Sequence, residues 1–296
     1  MADTPFTISF DSGLKDRVAL VTGGTRSVGE GIATALARAG ATVYITGTST
    51  PEETARRIAD KTGNPNLVGI KLDHLDDAAT AAFFKHLEAE QNGQLDILVN
   101  NAIGAAQYVL TQDYDPNARF FERPIGIWDS VHRIGLRSAW LMAWHAAPLM
   151  VARQSGLIVN IGSFGGVEHY LDTSHNIGKT GLDRFSFDAG EELKPDNVGV
   201  VSLYPGLVLT DRVLELYGER VRRSKAKETP EFVGRAVVAL AQDSQLLRKT
   251  GKVVMACELA AEYGYTDIDG NLPADPVMKK LRETMSKPPQ RWVKDW

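Results

Sequence analysis

Cysteine is almost absent from this chain of 296 residues, in which Cys257 is the only one. That scarcity excludes an internal disulfide framework and any cysteine-rich metal site. An excess of positive charge is also missing, since 33 lysines and arginines stand against 37 aspartates and glutamates. We therefore expect no nucleic-acid partner, because such an excess is what neutralises a phosphate backbone. The six histidines show no metal-ligand spacing, so no metal site is predicted.

Long hydrophobic runs are missing as well. The most apolar stretch, residues 139–152, is interrupted by His145 and Pro148 and is too short to span a bilayer. Residues 1–15 are polar and lack the basic start and apolar centre of a signal peptide. We therefore expect a cytoplasmic protein with no membrane partner.

The composition is that of an ordinary globular protein, with 43% hydrophobic and 24% charged residues. No repeat, low-complexity tract or linker divides the sequence, so we predict one domain over residues 1–296. Two stretches interrupt its regular pattern, a long insertion at 103–127 and a charged segment at 207–230 that is expected to be helical, and such long connections commonly line ligand pockets. We expect both to shape a substrate pocket, followed by a proline-containing C-terminal tail at 269–296 that ends in Trp292 and Trp296.

Seven apolar, β-branched runs alternate with longer segments of helical composition, such as 29–39, 51–61 and 76–91. The runs lack the period-2 alternation of half-exposed strands, which is typical of strands covered on both faces. They are RVALVT (17–22), ATVYIT (41–46), LVGIKL (67–72), LDILV (95–99), LIVNI (157–161), VGVVSL (198–203) and KVVM (252–255). This alternation predicts a Rossmann-type, doubly wound α/β fold, a parallel sheet of about seven strands in three α/β/α layers.

A glycine-rich turn follows the first apolar run and precedes the first helical segment. It reads Thr22-Gly23-Gly24-Thr25-Arg26-Ser27-Val28-Gly29. A strand, a tight glycine turn and a helix N-terminus together form an anion site, because backbone N–H groups and the helix dipole face a pyrophosphate. The position after the first strand favours a phosphate loop over an ordinary strand–helix turn.

In these residues the sequence resembles the short-chain dehydrogenases/reductases, whose phosphate loop is TGxxxGxG. The other motifs of that family follow in order between residues 14 and 256. They are Asp73 after the third strand, Asn100-Asn101-Ala102 after the fourth, Ser163 at the end of the fifth, Lys179 sixteen residues later, and Tyr204-Pro205-Gly206 with Thr210 after the sixth. The FFERP segment (120–124) and residues 251–270 are similar to one subgroup of the family, which extends the resemblance to residue 270.

The resemblance implies a dinucleotide cofactor, and the end of the second strand favours NADP(H). An acidic residue there would bind the adenosine ribose and repel a 2′-phosphate, but the sequence is Gly47-Thr48-Ser49, and the first carboxylate is Glu52. Arg26 is placed like the arginine with which NADP-preferring relatives bind the 2′-phosphate, and Ser27 replaces the middle glycine of the loop. The implied cofactor-binding residues are Gly23, Thr25, Arg26, Ser27, Val28, Gly29, Thr48, Asp73, His74, Asn101, Ala102, Lys179, Pro205, Gly206, Val208 and Thr210.

The family's active site is usually an Asn–Ser–Tyr–Lys set, of which Ser163 and Lys179 are present. The tyrosine position, one helical turn before the lysine, is occupied by His175. The asparagine position, on a helix expected to begin near Trp128, is occupied by Gly135. A histidine there can act as a general acid or a base, although the neighbouring ammonium favours the neutral imidazole. The alternative is that His175 only packs against the cofactor. Tyr170, in the loop after the fifth strand, is a further possible proton donor.

We therefore expect catalytic roles for Ser163, His175 and Lys179. The resemblance implies an NADPH-dependent oxidoreductase that reduces a C=O, C=N or activated C=C bond of a small or medium organic molecule. Two alternatives stay open: a non-redox enzyme on the same scaffold, catalysing cyclisation, isomerisation or elimination, and a catalytically silent NADP-binding protein.

The family usually pairs the long helices after the fourth and fifth strands between subunits. Here those helices carry Trp140, Trp144, Phe185 and Phe187, more aromatic surface than one sheet face readily covers. The resemblance therefore implies a homodimer or homotetramer, although part of this surface could also belong to the core.

Overall fold

The structure, a computed structural model, describes residues 8–104, 115, 117–273 and 282–283. Two segments singled out in the sequence therefore lie partly outside the described residues. They are the insertion at 103–127, of which 105–114 and 116 are not described, and the tail at 269–296, of which 269–273 and 282–283 are described.

The described residues contain one large parallel sheet and one small one. The strands are β1 (Val18–Val21), β2 (Thr42–Gly47), β3 (Leu67–Lys71), β4 (Ile97–Asn100), β5 (Gly156–Ile161), β6 (Val198–Tyr204), β7 (Leu207–Val208), β8 (Lys227–Glu228) and β9 (Val253–Met255). The large sheet has seven strands in the order β3-β2-β1-β4-β5-β6-β9, and β7 pairs with β8. Every predicted run forms a strand of the large sheet, with ends within two residues of the prediction.

Helices connect the strands on both faces of the sheet. They are α1 (Ser27–Arg38), α2 (Pro51–Thr62), α3 (Asp77–Glu90), α4 (Gly126–Asp129), a π-helix (Ser130–Arg137), α5 (Ser138–Ala152), α6 (Thr173–Leu193), α7 (Asp211–Tyr217), α8 (Pro230–Gln242) and α9 (Ala256–Tyr263). Short 3₁₀ turns occur at Phe120–Glu122, Phe164–Gly166, Lys194–Asp196, Glu219–Arg223 and Leu246–Arg248.

Two hydrophobic cores cover the two faces of the sheet. Ile32 of α1 and Phe232 of α8 pack in the first core, whereas Phe83 of α3 and Met142 of α5 pack in the second. β1, β4 and β6 are buried along their whole length, as their continuous apolar runs predicted. The predicted three-layer, doubly wound α/β fold is therefore confirmed.

The connections reverse direction across the sheet between β1 and β4, which are neighbours although two strands separate them in sequence. In open α/β sheets a ligand binds outside the carboxyl ends of the strands at such a switch point. The segments that leave β1, β4, β5 and β6 at this edge contain most of the predicted site residues.

Some features of the fold were not predicted. The 207–230 segment was expected to be helical, but it forms the β7–β8 pair and two short helical pieces, α7 and Glu219–Arg223. The helix expected to begin near Trp128 begins at Gly126 and passes through the π-helix. Among the described residues, we find no helix whose length and hydropathy would let it span a bilayer, and no metal-binding group of three or more histidine, cysteine or acidic residues.

Candidate active site

The phosphate loop between β1 and α1 has the backbone shape of a tight glycine turn. Gly23 has a φ of +61°, and a Cβ at Gly29 would overlap the carbonyl oxygen of Gly23 and the amide of Asn101. Ser27, the first residue of α1, has a φ of 51°, a left-handed conformation that favours glycine. The site of the family's middle glycine therefore keeps a glycine-like backbone although it carries a hydroxyl.

The segment after β4 holds this loop in place through hydrogen bonds. Asn101 Nδ2 donates to the carbonyl oxygens of Thr22 and Gly23, at 3.0 Å each. Thr22 Oγ1 in turn accepts from the backbone N–H of Asn101 at 2.9 Å and of Ala102 at 3.0 Å. Asn101 thus uses its side chain to fix the glycine turn, and the family's asparagine motif has a structural reason here.

The predicted adenosine end of the site combines exposed and buried polar groups. Arg26 and Thr48 are exposed, and no ion pair of Arg26 exists among the described residues. Asp73 Oδ1 accepts from the backbone N–H of Leu75 at 2.9 Å, which shapes the turn after β3.

His74, by contrast, is buried beside this turn. Its Nε2 lies 2.9 Å from Thr46 Oγ1, so the imidazole joins the loop after β3 to β2. Burial lowers the pKa of His74 to about 4, against the opposing charge of Asp73. His74 is therefore neutral at physiological pH.

Ser163 and His175, two of the predicted catalytic residues, are in hydrogen-bond contact. Ser163 Oγ lies 3.2 Å from His175 Nε2 and 3.3 Å from the backbone N–H of Gly165. His175 is only 7% exposed, and its Nδ1 has no hydrogen-bond partner among the described residues. Burial and, to a smaller extent, the charge of Lys179 together lower the pKa of His175 to about 3. His175 is therefore a neutral imidazole.

Helix α6 presents His175 and Lys179 on one face because they are four residues apart. Asp172 caps this helix, since its Oδ1 accepts from the backbone N–H of His175 at 3.0 Å. Lys179 is buried, and its Nζ donates to the carbonyl oxygen of Ile161 at 2.6 Å. Burial lowers the pKa of Lys179 to about 8, whereas the charge of Asp183 raises it.

Gly135, at the family's asparagine position, lies in the π-helix Ser130–Arg137, and π-helical turns are frequent at functional sites. Among the described residues, a Cβ at Gly135 would meet Ile103 Cγ1 at 3.7 Å and nothing closer. Gly135, His175 and Lys179 help to line a cavity of about 10 Å³, roughly the space that one water molecule needs. The missing asparagine thus leaves room beside the lysine.

Tyr170, the alternative proton donor, lies beside this group. Its ring centroid is 6.5 Å from that of His175 and 6.1 Å from that of Phe164, both in edge-to-face geometry. The side chain is 44% exposed. Tyr170 therefore belongs to the open side of the site, whereas His175 belongs to its buried side.

The segment after β6 is fixed by a buried carboxylate that was not among the predicted residues. The backbone N–H of Gly206 donates to Glu228 Oε2 at 2.9 Å. Val208 pairs with Glu228 between β7 and β8, and Thr210 caps α7 by accepting from Val213 N–H at 3.2 Å. Glu228 could not be predicted as part of the site, because strands of two residues show no periodicity from which the β7–β8 pair could be recognised.

A second carboxylate missed in the sequence, Asp183, lies one helical turn after Lys179. It accepts hydrogen bonds from Ser202 and Tyr204. The signal that was available is its spacing, since residues four apart share a helix face. The structure thus brings Ser163, His175 and Lys179 together and adds an acidic group behind them.

The sequence of this chain is similar to a known family and to proteins of known sequence. The sequence profile of the short chain dehydrogenases matches residues 17–219. The Mus musculus protein named dehydrogenase/reductase SDR family member 1 is 38% identical over 270 residues, which cover 87% of this chain and 85% of that protein. A 3-oxoacyl-(acyl-carrier-protein) reductase of Aquifex aeolicus is 32% identical over 221 residues, or 73% of this chain and 84% of that protein.

A solved structure described as a short chain dehydrogenase/reductase family protein has a TM-score of 0.66 and 26% identity to this chain. It covers 82% of this chain, and 96% of its own length is matched. The mouse protein represents the subgroup to which the FFERP segment and residues 251–270 are similar.

Proposed function

The chain belongs to the short-chain dehydrogenase family, as its motifs predicted, and from that premise we propose that it is an NADPH-dependent oxidoreductase. Its substrate is a small or medium organic molecule in which a C=O, C=N or activated C=C bond is reduced. The observation that carries this proposal is the contact of Ser163 Oγ with His175 Nε2 at 3.2 Å. That contact lies one helical turn from Lys179, at the carboxyl edge of the sheet.

The phosphate loop fits a dinucleotide, because its left-handed turn at Gly23 and Ser27 leads directly into the N-terminus of α1, where backbone N–H groups and the helix dipole favour a pyrophosphate. We propose that Arg26, exposed at the N-cap of α1, binds the 2′-phosphate that distinguishes NADP(H). Thr48 and Asp73 would contact the adenosine, and the Pro205–Thr210 segment the nicotinamide. When bound, the cofactor supplies a hydride.

The chain's own residues then orient the substrate. Ser163 donates a hydrogen bond to the substrate heteroatom, and Lys179 holds the cofactor ribose. Burial disfavours the charged form of His175 and so keeps the imidazole neutral. The N–H of a neutral imidazole donates a hydrogen bond but gives up its proton poorly. This favours substrates that need little protonation during hydride delivery, such as iminium ions and activated alkenes, over simple ketones.

The test is NADPH consumption with a panel of ketones, cyclic imines and activated alkenes. We expect turnover of at least one imine or alkene that exceeds turnover of the ketones. Lys179→Met should abolish it, whereas the control Lys194→Met, which changes an exposed lysine just beyond α6, should not. No NADPH consumption across the panel would refute the proposal.

A second candidate is non-redox chemistry on the same scaffold. The observation that favours it is the contact of Ser163 Oγ with His175 Nε2, which leaves a neutral imidazole placed to accept a proton from the hydroxyl. Burial weakens His175 as a base, so the reaction would be one that needs only a weak base. In that case the cofactor would be structural, and His175→Ala would abolish a reaction whose product gains no hydrogen from the cofactor. The product would keep the mass of the substrate after cyclisation or isomerisation, or be lighter by the leaving group after elimination. NADPH consumption and product mass separate the two candidates.

The assembly and the location are also proposals. Trp140, Trp144 and Phe187 are 50%, 59% and 48% exposed, whereas Phe185 packs against the second core. We propose that α5 and α6 form a homodimer or homotetramer interface through the three exposed rings, which a monomeric mass in light scattering at micromolar concentration would refute.

We further propose that residues 1–296 act as one cytoplasmic domain whose 103–127 and 207–230 segments line the substrate pocket.

A further inference from the structure

Behind the predicted catalytic residues lies a carboxylate to which the proposed reaction assigns no role. Asp183 follows Lys179 by one turn of α6, so both side chains lie on one face of the helix. Ser202 Oγ donates to Asp183 Oδ1 at 2.6 Å, and the Tyr204 hydroxyl donates to Oδ2 in a short hydrogen bond. Ser202 and Tyr204 are fully buried in β6. Asp183 therefore joins the catalytic helix to the sheet.

The carboxylate also lies directly beneath the loop that carries Ser163. A Cβ at Gly166 would overlap both Asp183 Oδ2 and the Tyr204 hydroxyl oxygen. Thr180 Oγ1 donates to the Gly166 carbonyl at 2.9 Å, which keeps the loop against α6. The close approach explains why glycine occupies this position, and it places Asp183 where three parts of the site meet.

The third of these parts is the segment that we propose contacts the nicotinamide. Tyr204 is the last residue of β6, and Pro205 and Gly206 follow it directly. A hydrogen bond between Tyr204 and Asp183 thus fixes the start of that segment relative to Lys179. On its other side, the same segment is fixed by the hydrogen bond from Gly206 to Glu228.

The ionisable groups that face Asp183 are few. Its own helix contributes Lys179, and β6 contributes Tyr204, whereas residues 162–166 of the loop include no ionisable side chain. Burial raises the pKa of Asp183 to about 6, while the hydroxyls of Ser202 and Tyr204 and the charge of Lys179 oppose that rise. Burial lowers the pKa of Lys179, and Asp183 is the charge that opposes it.

We propose that Asp183 is a positioning residue for the hydride-transfer site, which holds the Lys179 ammonium in its charged form and fixes Tyr204 at the start of the nicotinamide segment. This inference rests on the proposed cofactor site. Two properties follow from it, one electrostatic and one geometric. Loss of the charge makes Lys179 lose its proton at lower pH, and loss of the tyrosine contact displaces the Pro205–Gly206 turn.

The electrostatic part is tested by NMR titration of ¹³C-labelled lysine in the cofactor-free protein, with Lys179 assigned from Lys179→Met. Asp183→Asn keeps the size of the side chain and removes its charge. We expect the titration midpoint of Lys179 to fall by about one pH unit or more, as a charge one helical turn away implies. The control Asp188→Asn removes an exposed carboxylate of the same helix, paired with Arg184, and should leave the midpoint unchanged.

The geometric part is tested by fluorescence titration of NADPH at pH 7. Tyr204→Phe removes the hydroxyl but keeps the carboxylate of Asp183, so the Lys179 midpoint should fall by less than it does in Asp183→Asn. NADPH affinity should fall about threefold or more, the net effect of losing one hydrogen bond that fixes the Pro205–Gly206 turn. This variant also carries the test if Asp183→Asn does not fold. An unchanged Lys179 midpoint in Asp183→Asn, or unchanged NADPH affinity in Tyr204→Phe, would overturn the proposal.

Neither measurement requires turnover, so the two proposals fail separately. A protein that behaves as expected in both titrations but reduces no compound would refute the reductase and leave the role of Asp183 intact. A protein that reduces a compound of the panel, but whose Lys179 midpoint is unchanged in Asp183→Asn, would refute the role of Asp183 and leave the proposed function intact.

Discussion

We propose that His175 determines which chemistry the site can perform. Its imidazole is buried, neutral and in contact with Ser163, so it can donate one hydrogen bond but gives up a proton poorly. A phenol at this position would lie beside the Lys179 ammonium, whose charge favours the phenolate and so increases the acidity of the hydroxyl. The difference between imidazole and phenol is therefore a difference in proton supply.

Replacing the imidazole of His175 by a phenol should supply the proton that a ketone substrate needs. His175→Tyr should raise the reduction of simple ketones by about 10²- to 10⁴-fold, the usual contribution of a positioned general acid. The measurement is NADPH consumption with a ketone panel for the wild type, His175→Tyr and His175→Ala. Robust ketone reduction by the wild type that His175→Ala leaves unchanged would show that the proton comes from elsewhere, with Tyr170 or a water near Ser163 as the next donor.

We propose that Arg26 is the residue on which cofactor choice depends. Arg26→Ala should weaken NADPH binding by about 1–3 kcal/mol, typical of a charge-assisted contact to phosphate, and should leave NADH binding unchanged. Fluorescence titrations with both cofactors measure this, with Arg184→Ala as a control because that exposed arginine lies on α6. Equal affinities of the wild type for NADPH and NADH would contradict the assignment.

At the scale of elements, the first turn of α6 fixes the catalytic helix. Asp172 caps this helix through the backbone N–H of His175, just as Asp76 caps α3 through the N–H of Ala79 at 2.8 Å. Both aspartates accept from the third backbone N–H of their helix, but Asp172 is buried and holds a predicted catalytic residue, whereas Asp76 is exposed. Asp76 therefore serves as a control for the loss of a cap alone.

Asp172→Ala and Asp76→Ala should each lower the free energy of unfolding by about 1 kcal/mol, the usual cost of a lost N-cap. Only Asp172→Ala should also lower kcat, by about tenfold, because small displacements of reacting groups cost large factors in rate. Urea unfolding and NADPH consumption measure the two effects. An equal loss of kcat in both variants would mean that the cap acts through stability alone.

The strands were predictable because each is a continuous apolar run of β-branched residues that ends at glycine or polar residues. The π-helix at Ser130–Arg137 was not, because its amino acids suit an α-helix equally well; in the folded chain it packs against α6. The β7–β8 pair was missed for a similar reason: two-residue strands carry no periodicity.

Within the site, the family motifs fixed the order of Ser163, His175 and Lys179 along the chain, but not the environment of each group. The depressed pKa of His175 was expected in direction from the Lys179 charge, yet burial is the larger cause, and burial is a property of the folded chain. Asp183 lies on a helix face that the sequence marks only by spacing, so its contacts with Ser202 and Tyr204 needed the structure.

At the scale of the whole molecule, buried neutral histidines make stability depend on pH. The pKa of His74 is about 4 and that of His175 about 3 in the folded protein, against about 6.5 in the unfolded chain. Below pH 6.5 the unfolded state therefore binds more protons, and acidification lowers the stability. Asp183 acts in the opposite direction, because its folded pKa of about 6 lies above its ordinary value of 3.8, so the folded state binds the extra proton between these values.

Two histidines outweigh one aspartate, so the free energy of unfolding should fall by roughly 3 kcal/mol between pH 7 and pH 4.5, at about 1.4 kcal/mol per unit of pKa shift. Urea unfolding at both pH values measures the fall. His74→Gln should remove a large part of it, whereas His86→Gln, which changes an exposed histidine of α3, should not. A stability that is constant over this range would contradict the burial of neutral His74 and His175.

The transfer of hydrogen from the cofactor to a product tests the central claim most directly. The protein would be given NADPH with deuterium at one or the other face of nicotinamide C4, together with a compound from the panel that it consumes, and the product would be weighed by mass spectrometry. If the site performs hydride transfer, one of the two labelled cofactors yields a product that contains one deuterium and the other yields an unlabelled reduced product. A product with the mass of its substrate, or one without deuterium from either cofactor, would contradict the account.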